Sequence, residues 1–204
     1  MKSSGSDEID IGAASRDVKQ KEFDQYPNIE PVRVAKDSIA IVVHPNNPIS
    51  EISMEVIAKI YAGEITNFKQ IGGPNMDIVV YTREEGSGTR GSFEEIVLDK
   101  YDAEILGEAI TKPSNGEVRA SIAGNEAGFA YLSMGYLDNT IKGLVVDGVE
   151  PTVANVKSGD YPVVRSLYLI TNGEPSELEK LFIEFALSAE GQSIVEETGY
   201  ISVS

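Results

Sequence analysis

The segment Ile-Ala-Ile-Val-Val at residues 39–43 constrains the fold more than any other part of this 204-residue chain. A continuous run of mainly β-branched apolar residues predicts a strand that is buried on both faces. The segments that follow alternate between strand and helix patterns. Ser53 is a suitable N-cap for a helix that ends near Gly63, and Pro175 opens an amphipathic helix with apolar residues at helical spacing. The sequence therefore predicts an α/β fold.

The order of the remaining segments predicts two lobes. Further strands are predicted at residues 9–13, 77–81, 128–132, 144–146 and 162–171, and further helices after residue 91, at 117–123 and near 190–197. Prolines interrupt the chain in the segment HPNNP (44–48), and the strand that starts at Pro162 provides a second crossing. We therefore expect a central lobe of residues 45–164, inserted into a second lobe built from residues 1–44 and 165–204.

Composition argues against several classes of protein. No apolar run approaches the ~20 residues that a membrane span needs, and the N-terminus MKSSGSDEID lacks the apolar core of a signal peptide. The formal net charge of −16 repels nucleic acid and anionic membranes, so no nucleic-acid partner is expected. The chain has no cysteine and only one histidine, His44, so no metal site is predicted.

The segment TREEGSGTRGSFEE at residues 82–95 carries the densest polar chemistry in the chain. Residues 86–91 satisfy the dinucleotide fingerprint G-x-G-x-x-G, but four polar residues separate Tyr81 from the first glycine, where that fingerprint requires a tight turn. A P-loop would need a lysine that this segment lacks. A nucleophilic Ser87 would need His44 as its base, and a histidine between an apolar strand and a proline is more often structural. An enzyme is therefore not predicted.

Two interpretations of this segment remain. In the first, small residues cap the N-terminus of a helix and nothing binds there. In the second, the hydroxyls of Ser87 and Thr89 and the backbone at Gly88 form a cradle for a tetrahedral anion, because exposed N–H groups at a helix N-terminus attract negative charge. Arg83 lies just before the loop and can hold two oxygens at once, and Glu85 can fix its guanidinium. This combination favours oxyanion binding.

With these residues in view, the sequence resembles a known family, the periplasmic phosphate-binding proteins that serve bacterial and archaeal ABC phosphate importers. The likeness extends over essentially the whole chain, and its most specific motif is R-E-x-G-S-G-T-R. It is carried by the segments IDIGAASRDVK (9–19), DSIAIVVHPNNPIS (37–50), IAKIYAGEITNFKQIGG (57–73), IVVYTREEGSGTRGSFEE (78–95), AGFAYLSMGYL (127–137), VDGVEPTVANVKSGDYPVVRSLYLIT (146–171) and SAEGQSIVEETGYI (188–201). Membership implies a two-lobed, Venus-flytrap α/β fold with phosphate held in the cleft.

The resemblance also implies a binding site and partners. The positions that match the family's phosphate ligands are Arg83, Ser87, Gly88 and Thr89 on the central lobe, with Ser15 and Arg16 on the other lobe, and Glu85 matches the acidic partner of the binding arginine. The implied role is that of a non-enzymatic binding protein for inorganic phosphate, periplasmic or extracellular and membrane-associated, with an ABC permease as partner. No metal or organic cofactor is implied.

Two departures from the family pattern bear on this role. The tripeptide Ser15-Arg16-Asp17 stands in the region where some members carry an aspartate that accepts the proton of HPO₄²⁻ and so rejects sulfate. The strand, loops and helix that precede the IDIGAASR segment in the family are represented only by MKSSGSDE. We therefore expect one incomplete lobe, weakened phosphate binding, and self-association through the apolar surface that this lobe leaves uncovered. The alternative is a truncated, non-transporting relative that acts as a structural or interaction protein.

Overall fold

The computed structural model describes residues 9–203, which form two compact units. The terminal unit combines the chain up to Asp37 with the chain from Arg165 onward, and the central unit runs from Ser38 to Val164. The sequence predicted lobe boundaries after residues 44 and 164. In the structure, the first boundary between the two units comes earlier, after Asp37, and the second comes after Val164. The lobe boundaries themselves stay a prediction.

Strands and helices alternate along the chain, as the sequence predicted for an α/β fold. In chain order the elements are β1 (Gly12–Ala14), α1 (Gln20–Gln25), β2 (Ile29–Val43), β3 (Glu51–Ile52), α2 (Met54–Tyr61), β4 (Val79–Arg83), α3 (Gly88–Phe93), β5 (Ile110–Lys112), α4 (Asn115–Ala123), β6 (Gly128–Ser133), β7 (Lys142–Gly143), β8 (Val145–Val146), α5 (Val153–Ser158), β9 (Val164–Asn172), α6 (Glu177–Leu187) and α7 (Ala189–Glu197). A π-helical segment, Glu94–Leu98, continues α3, and single 3-10 turns follow at Asp99–Tyr101 and elsewhere.

The sheet of the central unit contains the apolar run at residues 39–43. All five side chains of residues 39–43 are fully buried, as predicted. This end of β2 pairs antiparallel with β6, with Ile41 opposite Tyr131, and β7 pairs with the same end of β2. Strand β4 runs parallel to β6 on one side and to β5 on the other, so the strand order is β2-β6-β4-β5.

Different elements cover the two faces of this sheet, which explains why the run is apolar at every position. On one face, Val118 and Ile122 of α4 join a cluster that includes Val42 and Leu132. On the other face lies a group of four aromatic rings, contributed by α2 (Tyr61), α3 (Phe93) and β6 (Phe129 and Tyr131). Because alternate side chains of a strand point to opposite faces, both sets of β6 residues are needed to fill the core.

The terminal unit uses strands from both ends of the chain. Strand β1 pairs antiparallel with β9, from Gly12 opposite Ile170 to Ala14 opposite Tyr168, and β9 lies between β1 and β2 in the sheet order. An isolated antiparallel bridge joins Lys36 to Ile201 near the C-terminus.

Helix α6 forms where the sequence predicted it, but most of its apolar face is exposed. Ser176 caps the helix together with Glu179, and only Ile183 of its apolar residues is buried. The exposed apolar side chains of α6 are Leu178 (78%), Leu181 (63%), Phe182 (51%), Phe185 (44%) and Leu187 (38%). A shallow groove beside them is lined by residues that include Ile11 and Phe182. Helical periodicity thus identified an apolar face, and the described residues do not cover it.

Buried polar side chains, rather than a large apolar core, connect the parts of the terminal unit. The Gln192 amide donates to the carbonyls of Val34 at 2.9 Å and Ala186 at 2.7 Å, and its oxygen accepts from the Val203 N–H at 2.8 Å. Arg165 and Asp37 form a buried ion pair, with 2.7 Å between Nη2 and Oδ2. These contacts connect β2, β9, α6, α7 and the C-terminal segment.

Several element bounds differ from the predicted ones. Strand β2 begins at Ile29, ten residues before the apolar run. The sequence did not indicate this first part because it is only partly buried and carries charged residues and Pro31. Strand β4 ends at Arg83 instead of Tyr81, since Thr82 and Arg83 pair with β5. Strand β1 begins at Gly12, where its pairing with β9 begins, and not at residue 9. Among residues 9–203, no helix is both long enough and apolar enough to span a bilayer.

Candidate anion-binding site

A tight turn connects Arg83, at the end of β4, to helix α3. The Ser87 N–H donates to the Glu84 carbonyl at 3.2 Å, which closes the turn. Gly86 has a φ of +85°, a conformation that residues with a side chain rarely adopt. Ser87 then caps the helix, because its hydroxyl accepts a hydrogen bond from the Arg90 N–H at 3.3 Å. Glycine and serine therefore fix the positions of the turn and of the helix start.

The guanidinium of Arg83 is buried and held on two sides. Its Nε and Nη2 atoms each donate to a carboxylate oxygen of Glu84 at 2.8 Å, and Nη1 donates to Oδ1 of Asn115 at 2.8 Å. The hydrogen bonds from Arg83 lower the pKa of the Glu84 carboxyl. An arginine has five N–H donors, so one donor on Nη1 and one on Nη2 have no acceptor among the described residues. These two groups are the ones that Arg83 can offer to a ligand.

The acidic partner of Arg83 is Glu84, not Glu85 as the sequence analysis expected. The turn places Glu85 and Gly86 at its two outer positions, where both are exposed. Glu84 comes directly before these positions and can fold its carboxylate back onto the guanidinium. The expected charge compensation is present, but the neighbouring residue supplies it.

The backbone of Arg83 is also anchored. Its N–H donates to the hydroxyl of Tyr131 at 3.2 Å, and the same hydroxyl is 2.9 Å from the hydroxyl of Thr82. Its carbonyl accepts from Nη1 of Arg90 at 3.1 Å. The ring of Tyr131 stacks on Phe93 with 4.0 Å between centroids. The backbone of Arg83 is therefore attached, through Tyr131, to the aromatic core of the central unit.

The first turn of α3 contains the other candidate ligands of this unit. Gly88 is exposed and its N–H has no acceptor within residues 9–203, while Thr89 is buried and Ser87 is half-buried. Backbone N–H groups in the first turn of a helix have no partner within the helix and point outward from its start. The structure thus brings Arg83, Ser87, Gly88 and Thr89 into one loop, and this loop could hold a tetrahedral anion with backbone, hydroxyl and guanidinium donors.

Asn115 is a residue of this site that the sequence analysis missed. It is the first residue of α4, capped by Ser114, and its Oδ1 accepts from Ser133 N–H at 3.4 Å in addition to Arg83. The predicted helix began at Glu117. The motif Ser114-x-x-Glu117 is typical of a helix N-terminus and would have placed Asn115 in the first turn.

Ser15 and Arg16 follow strand β1 in the terminal unit. Arg16 forms a two-pronged pair with Glu22, with 2.8 Å in each Nη–Oε contact. This hydrogen bonding lowers the pKa of the Glu22 carboxyl to about 2. The neighbouring Asp17 accepts a hydrogen bond from the Tyr168 hydroxyl at 2.6 Å. Ser15 is half-buried.

The described residues give no support to the other chemistries considered. His44 accepts a hydrogen bond from the Asn46 N–H through Nδ1 at 3.1 Å, which is a turn-stabilising role. Only Glu84 and Glu85 lie between the end of β4 and Gly86, fewer polar residues than the sequence analysis counted. The dinucleotide interpretation remains unfavourable because the Glu84 carboxylate already accepts two hydrogen bonds from the Arg83 guanidinium beside the loop. Residues 9–203 contain no group of three or more histidine and carboxylate side chains placed to bind a metal.

Comparison with known proteins places this chain in a family. The PBP superfamily domain matches residues 2–190. The phosphate-binding protein PstS of Bacillus subtilis is 33% identical over 198 residues, which are 96% of this chain and 65% of that protein. PstS of Borreliella burgdorferi is 32% identical over 203 residues, with coverages of 95% and 72%. The chain thus spans about two thirds of the length of these relatives.

A solved structure supports the same assignment. A Clostridium perfringens protein crystallised with bound phosphate is 39% identical, with a TM-score of 0.84, and the likeness covers 100% of this chain and 83% of that one. The likeness confirms the predicted two-lobed periplasmic-binding-protein fold class. This chain therefore belongs to the PBP superfamily and, within it, to the family of the phosphate-binding protein PstS.

Proposed function

We propose that this chain binds inorganic phosphate, as the substrate-binding component of an ABC phosphate importer, and that it is not an enzyme. The observation that carries this proposal is the loop of the central unit, where a buried arginine is fixed beside a helix start with two donors still available. The names of the relatives and the phosphate bound to the Clostridium perfringens protein support it. No observation favours the alternative of a non-transporting interaction protein.

The chemistry of the loop suits HPO₄²⁻. A hydrogen bond to a charged group contributes about 1.5–3 kcal/mol, and micromolar affinity requires about 8 kcal/mol net of ordering. Two Arg83 donors and the donors at Ser87, Gly88 and Thr89 are therefore enough to give measurable binding. The net charge of −16 slows the encounter with an anion at low salt, but local dipoles govern the bound state.

Calorimetric titration with phosphate and with sulfate tests the proposal. We expect phosphate binding in the wild type, and a loss of at least about 100-fold in affinity for Arg83→Ala. Arg83→Lys keeps the charge and controls for the cavity that alanine leaves. The matched control is Arg119→Ala, which removes an exposed arginine paired with Asp138 in the same unit. Absence of phosphate binding up to about 10 mM in the folded wild type would refute the proposal.

Ser15 and Arg16 are proposed as further phosphate ligands. The support is the likeness to the family, because the terminal unit by itself shows Arg16 paired with Glu22. Ser15→Ala should weaken phosphate binding by about tenfold, the value for one lost hydrogen bond to a charged group. Equal affinities of wild type and Ser15→Ala would remove Ser15 from the site.

The proposed partner is the permease of a phosphate importer, and the proposed location is periplasmic or extracellular. Both rest on the names of the relatives. Permease reconstituted in vesicles should hydrolyse ATP faster when this protein and phosphate are present together than when either is omitted. Stimulation that does not depend on phosphate would contradict the proposed partnership.

Self-association is also proposed, between the exposed apolar faces of α6 in two copies. The face presents Leu178, Leu181, Phe182 and Phe185 in one stripe. Sedimentation should therefore show a dimer that Leu181→Ser with Phe182→Ser dissociates, without a change in the thermal unfolding of the monomer. A monodisperse wild-type monomer at about 0.1 mM would contradict this proposal.

A further inference from the structure

The side chain of Asn115 is oriented by two donors that lie on the same side of it. Arg83 Nη1 and the Ser133 N–H both approach Oδ1, at 2.8 and 3.4 Å. Two donors require an oxygen at that position, so the amide cannot be flipped without placing N–H groups against N–H groups. The Nδ2 group must therefore point away from both of them.

The Nδ2 group has no acceptor among residues 9–203, although the residue is half-buried. A half-buried amide whose oxygen is fixed and whose nitrogen lacks a protein partner can donate two hydrogen bonds to a ligand or to water. It stands beside the Arg83 guanidinium, which also retains two N–H groups without an acceptor. The two side chains together present donors and no free acceptor.

From this arrangement, and resting on the proposed function, we propose that Asn115 is a phosphate ligand as well as the residue that positions Arg83. Its Oδ1 holds the guanidinium at the orientation set by Glu84, and its Nδ2 donates to a phosphate oxygen that Arg83 also contacts. A wall that only donates offers no group that can accept the proton of HPO₄²⁻. The Arg83–Asn115 side of the site therefore contributes equally to phosphate and sulfate affinity, and any discrimination between them arises elsewhere.

The substitution Asn115→Asp tests the donor role. Aspartate keeps an acceptor for Arg83 and for the Ser133 N–H, but replaces the Nδ2 donors by an oxygen that repels the anion. Because this repulsion weakens binding whether or not Nδ2 donates to the ligand, the response of the Asn115 amide signal to phosphate distinguishes a ligand from a residue that only positions Arg83. Asn115→Ala removes both roles, and Asn139→Asp, an exposed position in the same unit, controls for the added charge.

Titration of the folded wild type and these variants with phosphate and with sulfate is the test. We expect Asn115→Ala and Asn115→Asp to weaken phosphate binding by about tenfold to 100-fold, and any measurable sulfate binding by the same factor, at low and at high salt. Asn139→Asp should match the wild type. The side-chain amide signal of Asn115 in an ¹⁵N–¹H spectrum, identified by its loss in Asn115→Asp, should move on addition of phosphate.

Each contrary outcome overturns a distinct statement. Wild-type affinity in Asn115→Asp, or an amide signal that phosphate leaves unmoved, would overturn the ligand role. Unequal losses for phosphate and sulfate would overturn the donor-only description. A wild type that binds no phosphate would overturn the proposed function first and this inference with it.

Discussion

The two units of this protein bury their apolar side chains very unequally. Of the thirty-six buried apolar residues in the described chain, only five lie in the terminal unit, and these are Ile29, Ala35, Ile170, Ile183 and Ile201. Of the eleven large apolar side chains that are exposed, eight lie in the terminal unit. Burial of apolar surface is the dominant favourable contribution to folding, so the central unit obtains its stability from packing. The terminal unit depends more on directional contacts.

This difference bears on the proposed anion site, which lies on the better-packed unit. Arg83 rests on Tyr131, which stacks on Phe93 in a filled core, so its donors are held within a narrow range of positions. A binding residue needs that kind of support because small displacements of donors weaken an anion site. The terminal unit offers fixed polar pairs, such as Arg16 with Glu22, on a smaller core.

The largest expected effect comes from removing a ring of the central core. Phe93→Ala should lower the free energy of unfolding by about 3–5 kcal/mol, because it opens a cavity beside Tyr61 and Tyr131. Urea unfolding measures this loss. Tyr200→Ala in the terminal unit, where the ring is 39% exposed, is the matched control and should cost less than about 1 kcal/mol. Similar losses in both variants would contradict the difference between the units.

A smaller loss of stability is expected when the polar contacts of the terminal unit are removed. Gln192→Leu should destabilise the protein by about 3 kcal/mol, because it leaves the Val203 N–H and the carbonyls of Val34 and Ala186 without their partner. Gln25→Leu changes an exposed glutamine and should have almost no effect. Hydrogen exchange should show faster exchange of the Val203 amide in the Gln192 variant. Unchanged exchange at that amide would show that the polar contacts are not what holds the unit together.

The smallest expected effect is a pH dependence confined to the terminal unit. Arg16 lowers the pKa of Glu22 to about 2, from an ordinary value of 4.5, so the ionised carboxyl is favoured in the folded protein. The stabilisation is complete above pH 4.5 and is lost as the pH falls from 4.5 through 2. Since the pair is partly exposed, Glu22→Gln should cost about 1 kcal/mol or less at pH 7.

Urea unfolding of the wild type and Glu22→Gln at pH 7 and at lower pH measures that difference. The gap between the two proteins should narrow as the pH falls below 4.5. Glu30→Gln, an exposed carboxyl of the same unit, serves as control. A gap that is the same at every pH would assign the effect to packing and not to the charge.

Local patterns predicted those parts of the fold and site that depend on neighbours in the chain. The run 39–43 and the cap Ser53 each follow from a few adjacent residues. Asn115 did not, because it reaches Arg83 from 32 residues away across β4 and α4. The sequence allowed either Glu84 or Glu85 to pair with Arg83. Glu84 does so because the turn places Glu85 at an outer, exposed position.

The exposed face of α6 shows a different limit of sequence reasoning. Helical spacing of Leu178, Leu181, Phe182 and Phe185 correctly predicted an amphipathic helix, since amphipathicity is a property of the segment alone. Whether anything covers that face depends on other parts of a fold or on another molecule. No periodicity within the segment carries that information.

The division of the chain into units also sets an order for folding during synthesis. The central unit is one continuous stretch, from Ser38 to Val164, and can fold as soon as it has left the ribosome. The terminal unit needs β9, α6 and α7 to complete the sheet that β1 and β2 begin, so it closes only after the last part of the chain is made. The loop from Arg83 to Thr89 therefore acquires its structure on a folded core while strand β1 is still without its partner β9.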